Sequence, residues 1–433
     1  MKNLSRRNFL KSLGMSGLVM VSGIPMRSWG ANAHVVIIGG GTGGATAAKY
    51  LKKADPTIRV TLIEKNARYY TCYMSNEVLS GDREFESLGF DYDSLRNKYG
   101  VEVIIDEVTD INTQNKIISM AGGENIIYDR CIVSPGVGFR YDLIEAYDAE
   151  VAEQSIHHAW KAGPQTVALR TQLESMKDGG TFVLAAPPNP YRCPPAPYER
   201  ASQVAHYFKH HKPASKIIIL DPKTSFAKQA LFEEAWMNLY GYGTDDSMID
   251  WVSGSENLAS AVNVADTSVT TLAGTTIKAD VLNIIPAQKA GSIAFAAGLT
   301  DETGWCPIKP ESFESTIHAG IHIIGDSSNA SPLPKSGFAA NSEAKACALA
   351  IAALLNGREP SQASFTNGCY SVVGDDYAIS IVANYELSDD HTYIKKIANS
   401  GGTSPLAASD EEHTVDAQYA YSWYNNFTKD VFK

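Results

Sequence analysis

Three glycines and a glutamate carry the first legible chemistry. Gly39, Gly41 and Gly44 satisfy G-x-G-x-x-G directly after an apolar run at 35–38, and Glu64 follows twenty residues after the last of them. Glycines at this spacing let backbone N–H groups approach a pyrophosphate at a helix N-terminus. An acid at that distance can accept hydrogen bonds from an adenosine ribose. Six cysteines stand at 72, 131, 193, 306, 347 and 369. None are spaced C-x-x-C or C-x-x-C-H, which argues against a sequence-local zinc cluster and a covalent haem. Cys193 sits in a proline-stiffened segment, 187–195, with Glu199 six residues beyond it. A solvated helix-start glutamate is the plain reading of Glu199. Lys335, in the turn 333–337 ahead of an Ala-rich helix, adds a cation.

The elements that must position these groups follow from pattern. The run 34–38, the helical segment 45–53 and the strand 59–63 ending at Glu64 give strand, glycines, helix, strand and acid in order. That order makes the glycine pattern specific for a dinucleotide. NAD and FAD both use it. The strand and turn at 128–136, and 321–326 ending in Gly325-Asp326, resemble two further motifs of disulfide-reductase-like FAD proteins. In the second, Asp326 would accept a hydrogen bond from the ribityl chain. A second strand–helix–strand unit runs from 181 to 221, but its connecting segment 187–195 holds prolines where a phosphate loop would hold glycines. Proline has no N–H to offer, so no use of NAD(P)H is expected. The expected fold is α/β, with two Rossmann-like doubly wound domains and a C-terminal interface domain. Residues 31–142 and 276–360 form the FAD domain, 143–275 the inserted second domain, and 361–433 the C-terminal region.

Residues 1–30 read as an address. Ser5-Arg6-Arg7 and Phe9-Leu10-Lys11 precede a short apolar stretch, the pattern of a twin-arginine signal cleaved after Gly30 or Ala33. The mature protein is then expected in the periplasm, where a disulfide can persist. The 433-residue chain has 44 % hydrophobic and 20 % charged residues, a globular balance. Its net charge is −11; removing five basic residues with 1–30 leaves 32 basic against 48 acidic, a net −16. Such a chain lacks the basic excess that nucleic acid requires. No apolar run reads as long enough to span a bilayer.

Segments 69–77 (Y-Y-T-C-Y-M-S-N-E), 192–200 (R-C-P-P-A-P-Y-E-R) and 367–371 (N-G-C-Y-S) carry a specific resemblance, with 286–291 and 333–337 in support. Together they resemble the flavoprotein subunit of flavocytochrome c sulfide dehydrogenase, a family related to sulfide:quinone oxidoreductases. The resemblance implies FAD bound covalently through Cys72 and a redox disulfide between Cys193 and Cys369. It also implies sulfide as substrate and a c-type cytochrome subunit as heterodimer partner. Glu199 is expected to move protons at the pair, and Lys335 to stabilise reduced anionic flavin. The plain alternatives are a small buried thiol at Cys72 and a merely structural disulfide. Cys131, Cys306 and Cys347 read as unassigned, Cys131 and Cys347 as core. The competing functions are a sulfide:quinone oxidoreductase, or a non-catalytic flavin carrier or assembly factor. The aromatics Tyr419, Trp423 and Phe427, with Phe338, mark a candidate surface toward a haem partner or plain core.

Overall fold

The computed structural model describes residues 33–433, so the export signal expected at 1–30 lies outside the described residues. β1 (His34–Ile38), α1 (Thr42–Ala54) and β2 (Arg59–Glu64) form the opening unit. Val35, Val36 and Ile37 are fully buried, as a parallel strand covered on both faces requires. β3 (Glu102–Ile105) and β4 (Arg130–Val133) extend this sheet. The chain then leaves through Val137–Phe139 for a second parallel sheet.

That second sheet contains β5 (Thr181–Ala185), β6 (Lys216–Asp221), β7 (Ile249–Ser253) and β8 (Val281–Ile284), in the order β7-β6-β5-β8. α2 (Ala196–His211) and α3 (Gln229–Tyr240) connect its strands. Its four strands correct the boundary expected at 275/276. Val281 pairs with Phe182, and the wholly buried β8 completes the inserted sheet rather than the first one. The chain re-enters the first domain only at Gln288–Ala290, which pairs antiparallel with the outgoing Val137–Phe139 and so zips the two crossings together.

Back in the first domain, β9 (Ile321–Ile323) lies beside β4, giving the parallel order β9-β4-β1-β2-β3. α4 (Gly337–Leu355) packs across α1. Among the described residues α4 is long and apolar enough to cross a bilayer, contrary to the sequence expectation. It starts before the segment read as apolar, at Gly337. Ala344, Cys347, Ala348 and Ile351 are fully buried, which makes α4 the core helix between domains. The C-terminal region is a long hairpin, β10 (Ser364–Gly374) and β11 (Tyr377–Leu387), followed by α5 (Asp410–Phe432). Ser409 and Glu412 form a capping box that fixes where α5 begins.

Candidate functional site

The glycine turn has the geometry its residues require. Gly39 has φ +96°, and a Cβ there would stand 2.4 Å from the Ser134 carbonyl oxygen. A Cβ on Gly44 would meet the Gly39 carbonyl oxygen at 1.8 Å, so only glycine lets α1 approach β1 this closely. Gly41 is the N-cap of α1. Glu64 is tied to the same turn: Gly40 N–H donates to Oε2 at 2.7 Å and Asn66 N–H to Oε1 at 3.0 Å.

This turn opens on a cavity of about 1590 Å³ that runs between all three regions of the chain. Ordinary small-molecule sites occupy roughly 300–1,000 Å³, so a dinucleotide and a separate small substrate both fit. Asp326 lines it, and its Oδ1 is buried without a hydrogen-bond partner. Burial holds that carboxyl above its ordinary range, while Arg192, Lys335 and Lys161 pull it down. A buried orphan acceptor beside a glycine cradle is satisfied by a polyol hydroxyl, so these residues fit FAD. Glu343 on α4 props the turn that carries Asp326: Gly325 N–H donates to its Oε2 at 2.6 Å, and Ser328 Oγ at 3.2 Å. Burial pushes the Glu343 carboxyl up to about 8.

The far wall of the same cavity brings together residues distant in sequence. Cys193, just before α2, and Cys369, on β10, both line it, as does Cys72. Both members of the expected pair are free thiols here. Cys193 has φ +57° and its N–H donates to the Lys335 carbonyl at 2.7 Å, which pins the thiol's backbone to the turn before α4. Burial raises the Cys193 thiol, a charge on Cys369 or Glu199 raises it further, and Arg192 and Lys228 oppose. Burial also raises Cys369, against Lys228 and an Asn367 Nδ2–H that reaches its Sγ at 3.7 Å. Asn367 is oriented by Ser336 Oγ at 2.5 Å, the hydroxyl that also caps α4.

Glu199 joins this wall. Asn76 Nδ2 donates to its Oε1 at 2.9 Å, the Ser371 hydroxyl bonds it, and burial raises its carboxyl. Lys228, fully enclosed, donates to Ser371 Oγ at 2.8 Å and to the Ile379 carbonyl at 3.2 Å. Burial lowers the Lys228 ammonium's pKa, with Cys369, Glu199 and Cys193 opposing that shift. The result is a line of polar groups, Lys228–Ser371–Glu199–Asn76, beside two thiols.

Lys335 is the correction. Its Nζ donates to the carbonyls of Asp326 and Ser328, both at 2.8 Å, and stands 3.7 Å over the Trp305 ring. Two carbonyls and an aromatic face saturate the ammonium, and it lies off the cavity wall. Lys161 and Arg192 are among the cations on the wall. Burial, with Arg192 adding to it, lowers Lys161 to about 8, and Arg192 donates to the Trp160 carbonyl. Lys161 and Lys228 had no signal in the sequence, since neither lies in a motif. Cys131, Cys306 and Cys347 are completely buried core residues. Phe338 stacks on Trp423 and on Phe427, with ring centroids 6.2 and 5.6 Å away, and both Phe338 and Trp423 line the cavity. Phe427 is buried, whereas Tyr419 is half exposed on α5.

Comparison with known proteins agrees with this arrangement. Residues 166–286 match the family model for the central region of the sulfide dehydrogenase (flavocytochrome c) flavoprotein chain. Residues 361–432 match the flavin-binding region of flavocytochrome c sulphide dehydrogenase, and residues 33–168 match the pyridine nucleotide-disulphide oxidoreductases. The chain is 57 % identical over 45 residues to the sulfide dehydrogenase flavoprotein chain of Chlorobaculum thiosulfatiphilum, which is 10 % of this chain and 94 % of that sequence. It is 22 % identical over 320 residues to the mitochondrial sulfide:quinone oxidoreductase of Mus musculus, 71 % of this chain and 67 % of the relative. The solved sulfide:quinone oxidoreductase of Aquifex aeolicus superimposes with a TM-score of 0.68 at 18 % identity, covering 92 % of each chain. That likeness is one of fold.

Proposed function

Because the chain belongs to the flavocytochrome c sulfide dehydrogenase flavoprotein family, as an FAD oxidoreductase that oxidises sulfide, we propose that Cys193 and Cys369 form its redox disulfide and that a c-type cytochrome subunit takes its electrons. The observation that carries this reading is the meeting of two thiols from separate domains on the wall of a cavity that also holds Asp326 and Cys72. The glycine turn, Glu64 and Asp326 would hold FAD, and Cys72 is its proposed covalent anchor. Bound FAD supplies a two-electron acceptor that can pass electrons on singly.

Hydrosulfide attacks one sulfur of the oxidised pair, making a new S–S bond as the bridge breaks and the other cysteine leaves as thiolate. Lys228 favours the charged form of both thiols, but burial with the charges of Cys369 and Glu199 raises Cys193 well above its ordinary value, and the thiol of lower pKa leaves faster. Attack therefore falls on Cys193, which becomes the persulfide. A second hydrosulfide attacks the outer sulfur and releases HSS⁻, leaving the Cys193 thiol; the two reduced cysteines then hold the electron pair that bound FAD would accept as the bridge re-forms. Glu199, kept able to hold a proton by burial and held in place by Asn76 and Ser371, would receive and return protons at the pair. Lys161 and Arg192 place positive charge on the wall shared with Cys72, where it would favour a bound cofactor carrying negative charge.

The proposed setting is the periplasm, reached by twin-arginine export, with the chain in a heterodimer with the cytochrome. A net charge of −16 after signal removal would steer a cationic partner. The Phe338–Trp423 stack links the cavity to α5, whose exposed Tyr419 faces outward to such a partner. Anaerobic sulfide should bleach the bound flavin, and Cys193→Ser or Cys369→Ser should abolish bleaching with flavin retained. Normal turnover in either variant, or equally rapid bleaching by NADPH, would overturn the assignment. Purification from the native source should bring down a haem protein; quinone reduction as fast as cytochrome reduction, with no haem associated, would favour a quinone acceptor.

A further inference from the structure

Away from the cavity, three segments converge on a second, smaller hollow of about 220 Å³. His206 and His210 are four residues apart on α2, a spacing that puts both imidazoles on one helix face. Their rings lie 4.7 Å apart, edge to face. Asp375 comes from the turn between β10 and β11, and Asp82 from the turn after the short helix Glu77–Ser80. His206 Nε2 is 3.5 Å from Asp82 Oδ2 and 3.5 Å from Asp375 Oδ1, and His210 Nε2 is 3.4 Å from Asp375 Oδ2.

These separations are informative. A tetrahedral metal with bonds of about 2.1 Å has ligand-to-ligand edges of about 3.4 Å. The donor atoms of His206, His210 and Asp375 all lie within 4.8 Å of one another. Neither Asp82 nor Asp375 has a Lys or Arg ion-pair partner among the described residues, so two carboxylates face one imidazole nitrogen with no fixed cation between them. Ser80 Oγ donates to Asp82 Oδ2 at 2.7 Å and holds that carboxylate in place, as an outer-shell partner does.

We propose that His206, His210 and Asp375 form a binding site for a divalent transition metal of the zinc class, with Asp82 beside His206. Two imidazoles and a carboxylate are borderline donors that such an ion takes in tetrahedral geometry, with water in the fourth position. Its place in the fold gives it a role. α2 begins just after Cys193 and carries Glu199, while Asp375 lies six residues beyond Cys369 on the strand that ends at this turn. A metal here ties the helix that follows Cys193 to the strand that carries Cys369. The site stands on its own geometry and does not depend on the sulfide reading.

The test uses tag-free, flavin-loaded protein stripped with chelator and titrated calorimetrically with Zn²⁺, with Co²⁺ as the spectroscopic probe of tetrahedral coordination. One equivalent should bind, raise the thermal midpoint and give Co²⁺ a tetrahedral spectrum. His210→Gln and Asp375→Asn, whose side chains are 49 % and 74 % exposed and so leave the fold intact, should each weaken binding by about tenfold or more. Cys369→Ser should leave binding unchanged. Absence of saturable binding, equal binding in His210→Gln and Asp375→Asn, or loss of binding only in Cys369→Ser, would each overturn the proposal. In the last case the thiols hold the ion.

Discussion

Glu343 gives the sharpest quantitative expectation, because a buried acid beneath the Asp326 turn must tie stability to pH. Its carboxyl is moved by burial from 4.5 to about 8, against the opposing pull of the Gly325 N–H and Lys335. Below pH 4.5 both folded and unfolded chains hold the proton, and the residue adds no pH dependence. Between 4.5 and 8 the unfolded chain ionises while the folded one keeps its proton, so stability falls as pH rises. The full difference, 3.5 pKa units, corresponds to about 5 kcal/mol, lost at up to roughly 1.4 kcal/mol per pH unit. Glu343→Gln keeps an acceptor for Gly325 N–H and Ser328 Oγ but cannot ionise. Flavin-loaded wild type and variant should be unfolded in urea at several pH values from 5 to 8.5. The wild type should lose stability relative to the variant across this interval, and the gap should level off above 8. Parallel pH profiles, or a variant that loses more than the wild type as pH rises, would refute the burial argument and with it the picture of a neutral acid propping the flavin turn.

Cys72→Ala should leave flavin that is fully released into the supernatant on acid denaturation, whereas wild-type flavin should stay in the pellet; identical release from both proteins would remove the covalent anchor. Lys228→Met should raise the Cys369 thiol further, since the ammonium is the charge that opposes its rise, and the pH dependence of thiol alkylation would show it. A profile that does not move would make Lys228 a packing residue only. Gly44→Ala should abolish flavin loading, because a Cβ 1.8 Å from the Gly39 carbonyl oxygen exceeds the ~1–3 kcal/mol of ordinary overpacking; flavin content and soluble yield check it.

How much of this was legible in the sequence depends on how local each cause is. The glycine turn could be read because its requirements, a left-handed Gly39 and a Cβ-free Gly44, are imposed by immediate neighbours. Cys193, Cys369 and Glu199 became a group only through a family likeness, since nothing local says that β10 meets the start of α2. Lys161 and Lys228 were invisible for a stronger reason: a buried cation matters through what encloses it, and that is entirely tertiary. Lys335 is the opposite case. Its turn was correctly placed, but the carbonyls of Asp326 and Ser328 decide where the ammonium goes.

The boundary at 275/276 shows the same limit at the scale of a sheet. The strand Val281–Ile284 is apolar enough for either domain, and its pairing with Thr181–Ala185 decides between them. The segment 187–195 joins the two kinds of information. Its prolines remove the N–H groups that would cradle a phosphate, which the sequence shows directly. The structure adds that the chain bends there through a left-handed residue, φ +57°, and that this residue is Cys193. A non-glycine residue in that region costs about 1 kcal/mol or more and persists only when its surroundings fix it. Here the fixing contact is the hydrogen bond from Cys193 N–H to the Lys335 carbonyl, across the domain boundary. The loop whose prolines stand where a phosphate cradle would need N–H groups is thus the one that holds a thiol against the flavin-binding domain.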